Sequence, residues 1–257
     1  MEKFEMALMT SGEVREAIAK GRDVVVWPIG ATEQHGPYLA LGTDFLGAQA
    51  VARRTAELAG GLLAPTLPFG MSANHVSFPG AMVLTPTTFT HVIRDICLGF
   101  LRDGFRLVLV VNGHGGNGPC IDSGLWEAKI AAPRQALLMY VSYWEALKDD
   151  YHELAGVPKG SMSFRTFWAH AGIMEASMVR ATDERGFDPA KAAPADMGKA
   201  QLADDSFIKT VVNIETKSPT GAFGDPTRAD AEMGKKIIER AAQLVARELA
   251  RVSEVFG

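Results

Sequence analysis

The chain has 257 residues, of which 47% are hydrophobic and 22% charged, a composition that supports a full core and excludes global disorder. Its formal net charge of −4 leaves no basic footprint, which excludes nucleic acid as a main partner. The length allows one large α/β domain or two small ones.

The sequence predicts neither a leader nor a membrane span. Residues 1–21 mix acidic and basic side chains and lack the apolar segment of a signal peptide. No apolar stretch approaches the roughly 20 residues that a membrane span needs. The two cysteines, Cys97 and Cys120, form no C-x-x-C motif, which is typical of a reducing compartment. We therefore expect a cytoplasmic protein.

Helical and extended patterns alternate from the start of the chain. The predicted elements of the first part are a helix over 10–21, a strand over 23–30, a helix over 43–60, a strand over 62–67 and a helix over 85–104. Thr10 and Glu13 resemble a capping box at the start of the first helix. Thr43 or Asp44 is expected to cap the second. The first strand is apolar on both faces, as a central parallel strand should be.

The second part of the chain continues the alternation. Its predicted elements are a strand over 106–111, a Gly-rich loop over 113–118, a helix over 119–132, a strand over 136–143, a helix from about 172, an edge strand over 210–215 and a final helix over 230–252. Residues 145–170 lack periodicity, and a loop of that length is usually functional or mobile. Residues 186–206 have the composition of a surface connection.

Strands that alternate with helices predict βαβ units. We therefore expect an α/β fold in which residues 1–257 form a single three-layer domain, with a mainly parallel sheet flanked by helices. Such sheets bind ligands beyond the carboxyl ends of their strands. Three polar segments lie at such ends: Glu33 with His35, Ser72 with His75, and residues 112–117. Their convergence predicts one active site.

Four side chains at this predicted edge have the chemistry of metal ligands. Glu33, His35, Asp44 and His114 supply carboxylate and imidazole groups that suit Zn²⁺, Mn²⁺ or Fe²⁺. Considered alone, Asp44 would be interpreted as a helix cap and Glu33 as a carboxylate in a loop. Glu175 alone reads as a charge on a helix surface. Only the joint pattern favours a metal site.

The polar residues also allow other interpretations. The Gly-rich loop over 113–118 could cradle a phosphate at a helix N-terminus, although it matches neither dinucleotide nor Walker A patterns. Cys120 lacks a base to activate it as a nucleophile. His91 and His152 are expected to face solvent.

The motifs stand in a fixed order along the chain. They are Gly30-Ala-Thr-Glu33-Gln-His35-Gly-Pro, Gly42-Thr-Asp44, Asn112-Gly-His114-Gly-Gly-Asn117 and His170-Ala-Gly-Ile-Met-Glu175. Together they resemble the creatininase family of amidohydrolases, from about residue 24 to residue 180. That resemblance implies an α/β fold and two divalent metal ions per chain, Zn, Mn or Fe. It also implies an assembly, since family members form hexamers.

The resemblance implies a role for each ligand-type residue. Glu33, Asp44 and His114 would hold one metal, while His35 and Asp44 would hold the other, so that Asp44 bridges the two. His170 aligns with a histidine of the family that takes part in proton transfer. Trp144 matches a tryptophan that covers the substrate.

The sequence departs from creatininase itself in two places. Gly115 and Gly116 replace a Tyr-Glu pair whose Glu ligates the second metal, so we expect Glu175 to complete that site. Thr166 and Phe167 replace a Trp-Asp pair, with Trp168 displaced. Creatinine is therefore a doubtful substrate. The predicted catalytic residues are His170 and Glu175, and the predicted substrate contacts are Ser72, His75, Gly115, Gly116, Trp144 and Trp168.

The resulting hypothesis is a dinuclear metal-dependent hydrolase that cleaves a C–N bond of a small-molecule amide, cyclic amide or formamide by a metal-bridging hydroxide. The alternatives within the family are a peptide-trimming peptidase and a ring-opening hydrolase of a cyclic ketone. A deformylase for a phosphorylated substrate should show a cluster of Arg or Lys in residues 72–80, and none is there. A non-catalytic metal- or nucleotide-binding module is the alternative from another class.

Overall fold

The computed structural model describes residues 3–195 and 210–256. The strands are β1 (Val24–Ile29), β2 (Leu62–Leu63), β3 (Leu107–Asn112) and β4 (Leu137–Ser142). The α-helices are α1 (Ser11–Ala19), α2 (Thr43–Ala59), α3 (Pro86–Asp103), α4 (Gly118–Ala131), α5 (Tyr151–Leu154), α6 (Phe164–Phe167), α7 (Ile173–Thr182) and α8 (Ala231–Phe256).

Within the described residues, the strands form one parallel sheet in the order β2-β1-β3-β4. The register pairs Val26 of β1 with Leu109 of β3, and Leu109 with Met139 of β4. The predicted parallel α/β sheet is confirmed. Strand β2 is shorter than the predicted 62–67: after the N–H of Ala64, which donates to the Val26 carbonyl, pairing with β1 resumes only at an isolated bridge between Ile29 and Leu67.

Helices cover both faces of the sheet, which gives the predicted three layers. Side chains of β1 alternate between the two faces: Val25 and Trp27 pack among α1, α3 and α4, whereas Val26 packs among α2, α7 and α8. Both cores are apolar, and the central strand β3 is buried along its whole length. A sheet buried on both sides leaves only its strand ends available for chemistry.

Two helices have the N-terminal caps that the sequence predicts, and a third helix does not. Thr10 and Glu13 form the predicted capping box, with Glu13 N–H donating to Thr10 Oγ1 and Thr10 N–H to Glu13 Oε2. Thr85 caps α3, with Pro86 in its first turn. The predicted cap of α2 is wrong: Gly42 is the N-cap residue without a side-chain bond, and Asp44 lies inside the helix with its side chain turned toward histidines.

The C-terminal half contains further corrections. The predicted edge strand over 210–215 is wrong, because residues 210–213 pair with no strand among residues 3–195 and 210–256, and a 3₁₀ turn forms at Ile214–Thr216. The nonperiodic stretch 145–170 contains α5 and α6, whose single turns are too short to produce a visible period. Residues 196–206 of the predicted surface connection lie outside the described residues. The helix predicted over 230–252 is confirmed as α8.

Two glycines let the start of α2 lie directly against the strand ends. A Cβ at Gly30 would collide with the backbone of Phe45, and one at Gly113 would collide with the carbonyl oxygen of Asp44. These close approaches bring Asp44 next to the residues that follow β1 and β3. Among the described residues, no helix combines the length and apolarity that a membrane crossing requires.

Candidate metal centre

The predicted ligands meet at the carboxyl edge of the sheet. Glu33 and His35 follow β1, and His114 follows β3. Asp44 comes from the first turn of α2, and Glu175 from the first turn of α7. Glu33 and His35 are fully buried, and Asp44 and His114 are nearly so. The tertiary fold therefore brings together every residue that the sequence predicted as a metal ligand.

One half of the cluster is built from Glu33, His114 and Asp44. His114 Nδ1 lies 3.2 Å from Glu33 Oε2 and 3.1 Å from Asp44 Oδ2. Ligand atoms bound to one zinc ion in a tetrahedral site lie roughly 3.3 Å apart, given bond lengths of about 2.0–2.2 Å. The three side chains therefore have the spacing of a ligand set.

The other half shares Asp44. His35 Nε2 lies 3.0 Å from Asp44 Oδ1 and 3.7 Å from Glu175 Oε2. The two oxygens of Asp44 thus face different histidines. Glu175 is held in place because Oε2 accepts a 2.6 Å hydrogen bond from the N–H of Ala171. Ala171 adopts φ 59°, the single left-handed non-glycine conformation in the described parts of the chain, which is strain of the kind concentrated at functional sites.

Buried polar atoms without partners provide a test of whether these residues fit a metal. Among the described residues, both carboxylate oxygens of Glu33 and Asp44 Oδ2 are buried and accept no hydrogen bond. Leaving so many buried groups unsatisfied is costly unless a cation completes them. The donor set, carboxylates with imidazoles, is the one that Zn²⁺ and Mn²⁺ use. The residues present therefore fit a divalent metal.

The ionisation of the cluster is dominated by burial and by mutual attraction. Burial raises the pKa of Glu33. Burial works against the charged form of Asp44 too, but His35 and His114 outweigh it and hold its pKa well below the usual range. Burial disfavours the charge on His35, yet Asp44 and Glu175 raise its pKa to about 9. Burial also raises the pKa of Glu175 to about 7. Without a metal, bound protons therefore offset the electrostatic repulsion between these carboxylates.

Two asparagines of the Gly-rich motif fix the loop that carries His114. Asn112 Oδ1 accepts from the backbone N–H of His114 at 3.1 Å, and Asn112 Nδ2 donates to the His114 carbonyl at 2.8 Å. Asn117 donates to the Gly30 carbonyl and accepts from the Met71 N–H, so it ties three strand ends together. The sequence motif contains both residues but predicts a role for neither. Their full burial was not readable from the chain.

His170 and His75 flank Glu33 on the other side. His170 Nδ1 lies 3.8 Å from Glu33 Oε1, and His75 Nε2 lies 3.3 Å from the same oxygen. Burial, together with His114 and His35, lowers the pKa of His75 to about 3. Burial, with His35 and His75, holds the pKa of His170 well below its ordinary value. The pKa of both rings is thus lowered, whereas the pKa of His35 and that of His114 are raised. The two predicted surface histidines lie elsewhere: His91 is exposed, and His152 is partly so.

A cavity of about 200 Å³ opens over the ligands. Trp144 and Trp168 form one wall as a stacked pair, with ring centroids 5.9 Å apart and planes 11° apart. Gly115, Gly116 and His75, three of the predicted substrate contacts, also line it, whereas Ser72 is fully buried and does not. The sequence missed two lining cations, Arg165 and Lys217, which come from segments far from residues 72–80.

A parallel α/β sheet with buried carboxylates and imidazoles at its carboxyl edge has the ligand set of a metal-dependent enzyme, and comparison with known proteins gives the family and the reaction class. The family sequence profile described as creatinine amidohydrolase matches residues 7–249. The chain belongs to the creatininase family and is a metal-dependent hydrolase that acts on C–N bonds. The predicted family membership is confirmed.

Curated relatives show the range of this family. Creatinine amidohydrolase of Pseudomonas putida is 31% identical over 182 residues, 67% of this chain and 69% of the relative. The mycofactocin precursor peptide peptidase of Mycolicibacterium smegmatis is 31% identical over 222 residues, 83% of this chain and 79% of the relative. The 3-dehydro-scyllo-inosose hydrolase of Thermotoga maritima is 31% identical over 108 residues, 42% of this chain and 34% of the relative.

Solved structures of creatininases share the whole fold. A creatininase structure matches with a TM-score of 0.85 at 25% identity, covering 98% of both chains. A manganese form matches with a TM-score of 0.85 at 26% identity over 99% of both chains. A Zn-Zn type mutant creatininase matches with a TM-score of 0.83 at 26% identity, covering 100% of this chain and 99% of that one.

Proposed function

We propose that the protein is a dinuclear hydrolase that cleaves the C–N bond of a small-molecule amide, cyclic amide or formamide. The observation that carries this proposal is Asp44, whose Oδ1 lies 3.0 Å from His35 and whose Oδ2 lies 3.1 Å from His114. A carboxylate that presents its two oxygens to separate ligand groups suits a bridging position. Glu33 and His114 would complete one ion site, and His35 with Glu175 the other, for Zn, Mn or Fe.

The residues around the proposed metal sites have different roles in hydrolysis. When bound, two divalent ions supply a lowered pKa for water and a polarised scissile carbonyl. His170 donates its Nε2–H to the Gln34 carbonyl at 2.9 Å, so its Nδ1 keeps a lone pair. A neutral imidazole at the cavity wall can take a proton from the attacking water and return it to the leaving nitrogen. Trp144 and Trp168 exclude bulk water from one side.

Gly115, the residue directly after His114, favours a second candidate substrate. A Cβ at Gly115 would meet no atom within 4 Å, so this side of the cavity has open space where creatininase carries a larger residue. That space favours a substrate larger than creatinine, such as the end of a peptide. A ring-opening reaction remains the other family alternative. We expect a panel of lactams, imides, formamides and C-terminal peptides, each with Zn²⁺ and Mn²⁺, to separate the three.

Metal content and turnover in matched variants test the proposal. We expect nearly two metal ions per chain by elemental analysis, and a loss of both metal and hydrolysis in Glu33→Gln and His114→Ala. His91→Ala is the matched control, since His91 is an exposed histidine of α3. A wild-type chain that stays metal-free in the presence of Zn²⁺ and Mn²⁺, while it still binds substrate-like ligands, would instead indicate a non-catalytic module.

We also propose that copies of this chain assemble, as a hexamer if the family pattern holds. Trp126 and Ile130 of α4 are 64% and 85% exposed, and Tyr140 of the edge strand β4 is 40% exposed. Large apolar side chains in that arrangement suit an interface. Gel filtration that gives the mass of one chain, roughly 28 kDa, would contradict the proposal.

One domain over residues 1–257 and a cytoplasmic location complete the proposal. Both apolar cores pack on the same sheet, which supports a single domain. Cys97 and Cys120 are both buried free thiols, as a reducing compartment would allow. Limited proteolysis that releases two stable folded fragments would refute the single domain.

A further inference from the structure

The side-chain amide of Gln34 contacts two backbone groups, one that can only donate a hydrogen bond and one that can only accept one. Gln34 is buried between the ligands Glu33 and His35. The Gly36 backbone N–H, which can only donate, gives a 2.9 Å hydrogen bond to Gln34 Oε1. The Gly221 carbonyl, which can only accept, lies 3.1 Å from Gln34 Nε2. The amide orientation is therefore fixed, because a flip would face donor with donor and acceptor with acceptor.

That orientation determines the tautomer of His75. Gln34 Nε2 lies 3.0 Å from His75 Nδ1, and since the amide nitrogen donates, Nδ1 accepts. The hydrogen of the neutral ring is then on Nε2, which lies 3.3 Å from Glu33 Oε1. That carboxylate oxygen has no hydrogen-bond partner in the described part of the chain. His75 Nε2–H is therefore placed as the donor that approaches the unsatisfied oxygen of a metal ligand.

The backbone of Gln34 determines the tautomer of His170. The Gln34 carbonyl can only accept, and it lies 2.9 Å from His170 Nε2, so that nitrogen carries the hydrogen. The contact between Gln34 Nε2 and His170 Nε2, at 3.2 Å, joins two donors and is not a hydrogen bond. Gln34 thus leaves His75 with a hydrogen-bond donor, Nε2–H, and His170 with an acceptor, Nδ1. Both atoms lie near the Glu33 carboxylate.

We propose that Gln34 and His75 are positioning residues: the Gln34 amide fixes the tautomer of His75, and His75 Nε2–H orients the Glu33 carboxylate for the metal. This inference rests on the proposed metal site. A donor on Oε1 leaves Oε2, which faces His114, in place as the metal-binding atom. Partners that orient a ligand in this way are typically worth about 10–100-fold in metal affinity.

A competing arrangement would use the same residues differently. Ligand atoms of Glu33, His75 and His170 all lie within 4.8 Å of one another and could bind an ion directly. His75 Nε2 would then need a lone pair, and Nδ1–H would face the Gln34 amide hydrogens. The contacts of Gly36 and Gly221 with that amide oppose this arrangement.

Long-range ¹H–¹⁵N correlation spectra of the metal-depleted protein test the tautomer directly. His75→Gln removes one ring signal and so assigns it. We expect His75 to carry its hydrogen on Nε2 in the wild-type protein, and to lose that preference in Gln34→Met and Gln34→Glu. A wild-type ring protonated on Nδ1 would overturn the inference without any variant having to fold.

Zinc and manganese affinities, measured by competition with a chelator, test the effect on the metal. We expect about 10–100-fold weaker binding in Gln34→Met, Gln34→Glu and His75→Phe. His75→Gln should stay near wild type, because a Gln amide can place a donor where Nε2 stood. Gln49→Glu, at an exposed glutamine of α2, controls for added charge. If the new carboxylate of Gln34→Glu acted only through its charge, this variant would bind the metal more tightly, whereas the proposed positioning role predicts weaker binding.

The outcomes separate this inference from the proposed function. If the wild-type protein binds neither metal, the proposed function fails, whereas the tautomer experiment still decides the Gln34 contacts. If the wild-type protein binds metal, and folded His75→Phe and Gln34→Met bind it equally well, the positioning role is wrong. A metal equivalent that disappears in both His75→Gln and His75→Phe would establish the direct-ligand arrangement instead.

Discussion

Gly113→Ala should disrupt the metal centre although Gly113 donates no ligand. Gly113 follows β3, and its missing side chain lets the start of α2 approach the strand end. An added Cβ would fall well under 3.0 Å from the carbonyl oxygen of Asp44, a separation that real Cβ atoms essentially never show, and 3.0 Å from Ala48 Cβ. The obstacle is helix backbone, which cannot rotate away as a flexible side chain can.

The size of the effect follows from these distances. To restore ordinary contact, near 3.4 Å, the first turn of α2 must move by about 1 Å relative to β3. Metal–ligand distances tolerate only about 0.2 Å. Asp44 would therefore leave its place between His35 and His114, with a loss of metal affinity above the 10–100-fold typical of changes around the ligands. Overpacking should also lower the free energy of unfolding by about 1–3 kcal/mol.

The assay compares two neighbouring glycines. Gly115→Ala is the matched control, because a Cβ there would meet no atom within 4 Å. Zinc content after dialysis and urea unfolding of the metal-depleted proteins would be measured for both variants. We expect Gly113→Ala to lose metal and stability, and Gly115→Ala to keep both while altering the affinity for substrate.

A Gly113→Ala protein with wild-type metal affinity and an unchanged urea midpoint would refute this reasoning. It would mean that α2 and β3 can separate without disturbing Asp44. Equal losses in both variants would also refute it, since the argument depends on the different surroundings of the two glycines.

Three further predictions follow from the site. The pKa of His35 is about 9 and that of His114 is also raised, so metal must displace protons from these ligands below pH 9. Apparent affinity should therefore rise at least tenfold per pH unit up to pH 9, and more steeply below pH 7, where Glu175 is also protonated; a pH-independent titration would contradict this. Trp168→Ala should raise KM about 2–10-fold without metal loss, as the stacked pair with Trp144 is broken, whereas Trp126→Ala should not. Ala171→Val should cost about 1–3 kcal/mol of stability at its left-handed backbone and Ala171→Gly should not, by urea unfolding; equal midpoints would argue against strain there.

Much of the fold was predictable because local patterns and tertiary packing agree. The apolar run of β1 and the capping box of α1 depend on neighbouring residues, and both formed as expected. The edge strand predicted over 210–215 failed for the opposite reason. Its residues are extended-chain formers, but no strand of the described residues pairs with them, and Val211 is 90% exposed.

The roles around the ligands were less predictable than the ligands. Gln34 lies between Glu33 and His35 in sequence, yet its role depends on Gly221, a contact across most of the chain. Lys217 lines the cavity from a similar distance. No pattern of neighbouring residues encodes such contacts, since the chain must fold before they exist.

The sequence by itself determined the chemistry: ligand types at the ends of predicted strands, a parallel α/β fold and the creatininase family. These properties are readable because residue type and short-range periodicity carry them. Only the tertiary structure decided the geometry. It placed Asp44, which the motifs predicted as a ligand and which by itself suggested a helix cap, so that its carboxylate faces two histidines, because Gly30 and Gly113 allow α2 to approach the strand ends. It also gave Gln34 and His75 their contacts, because hydrogen-bond polarity is fixed only when donors and acceptors from distant segments meet.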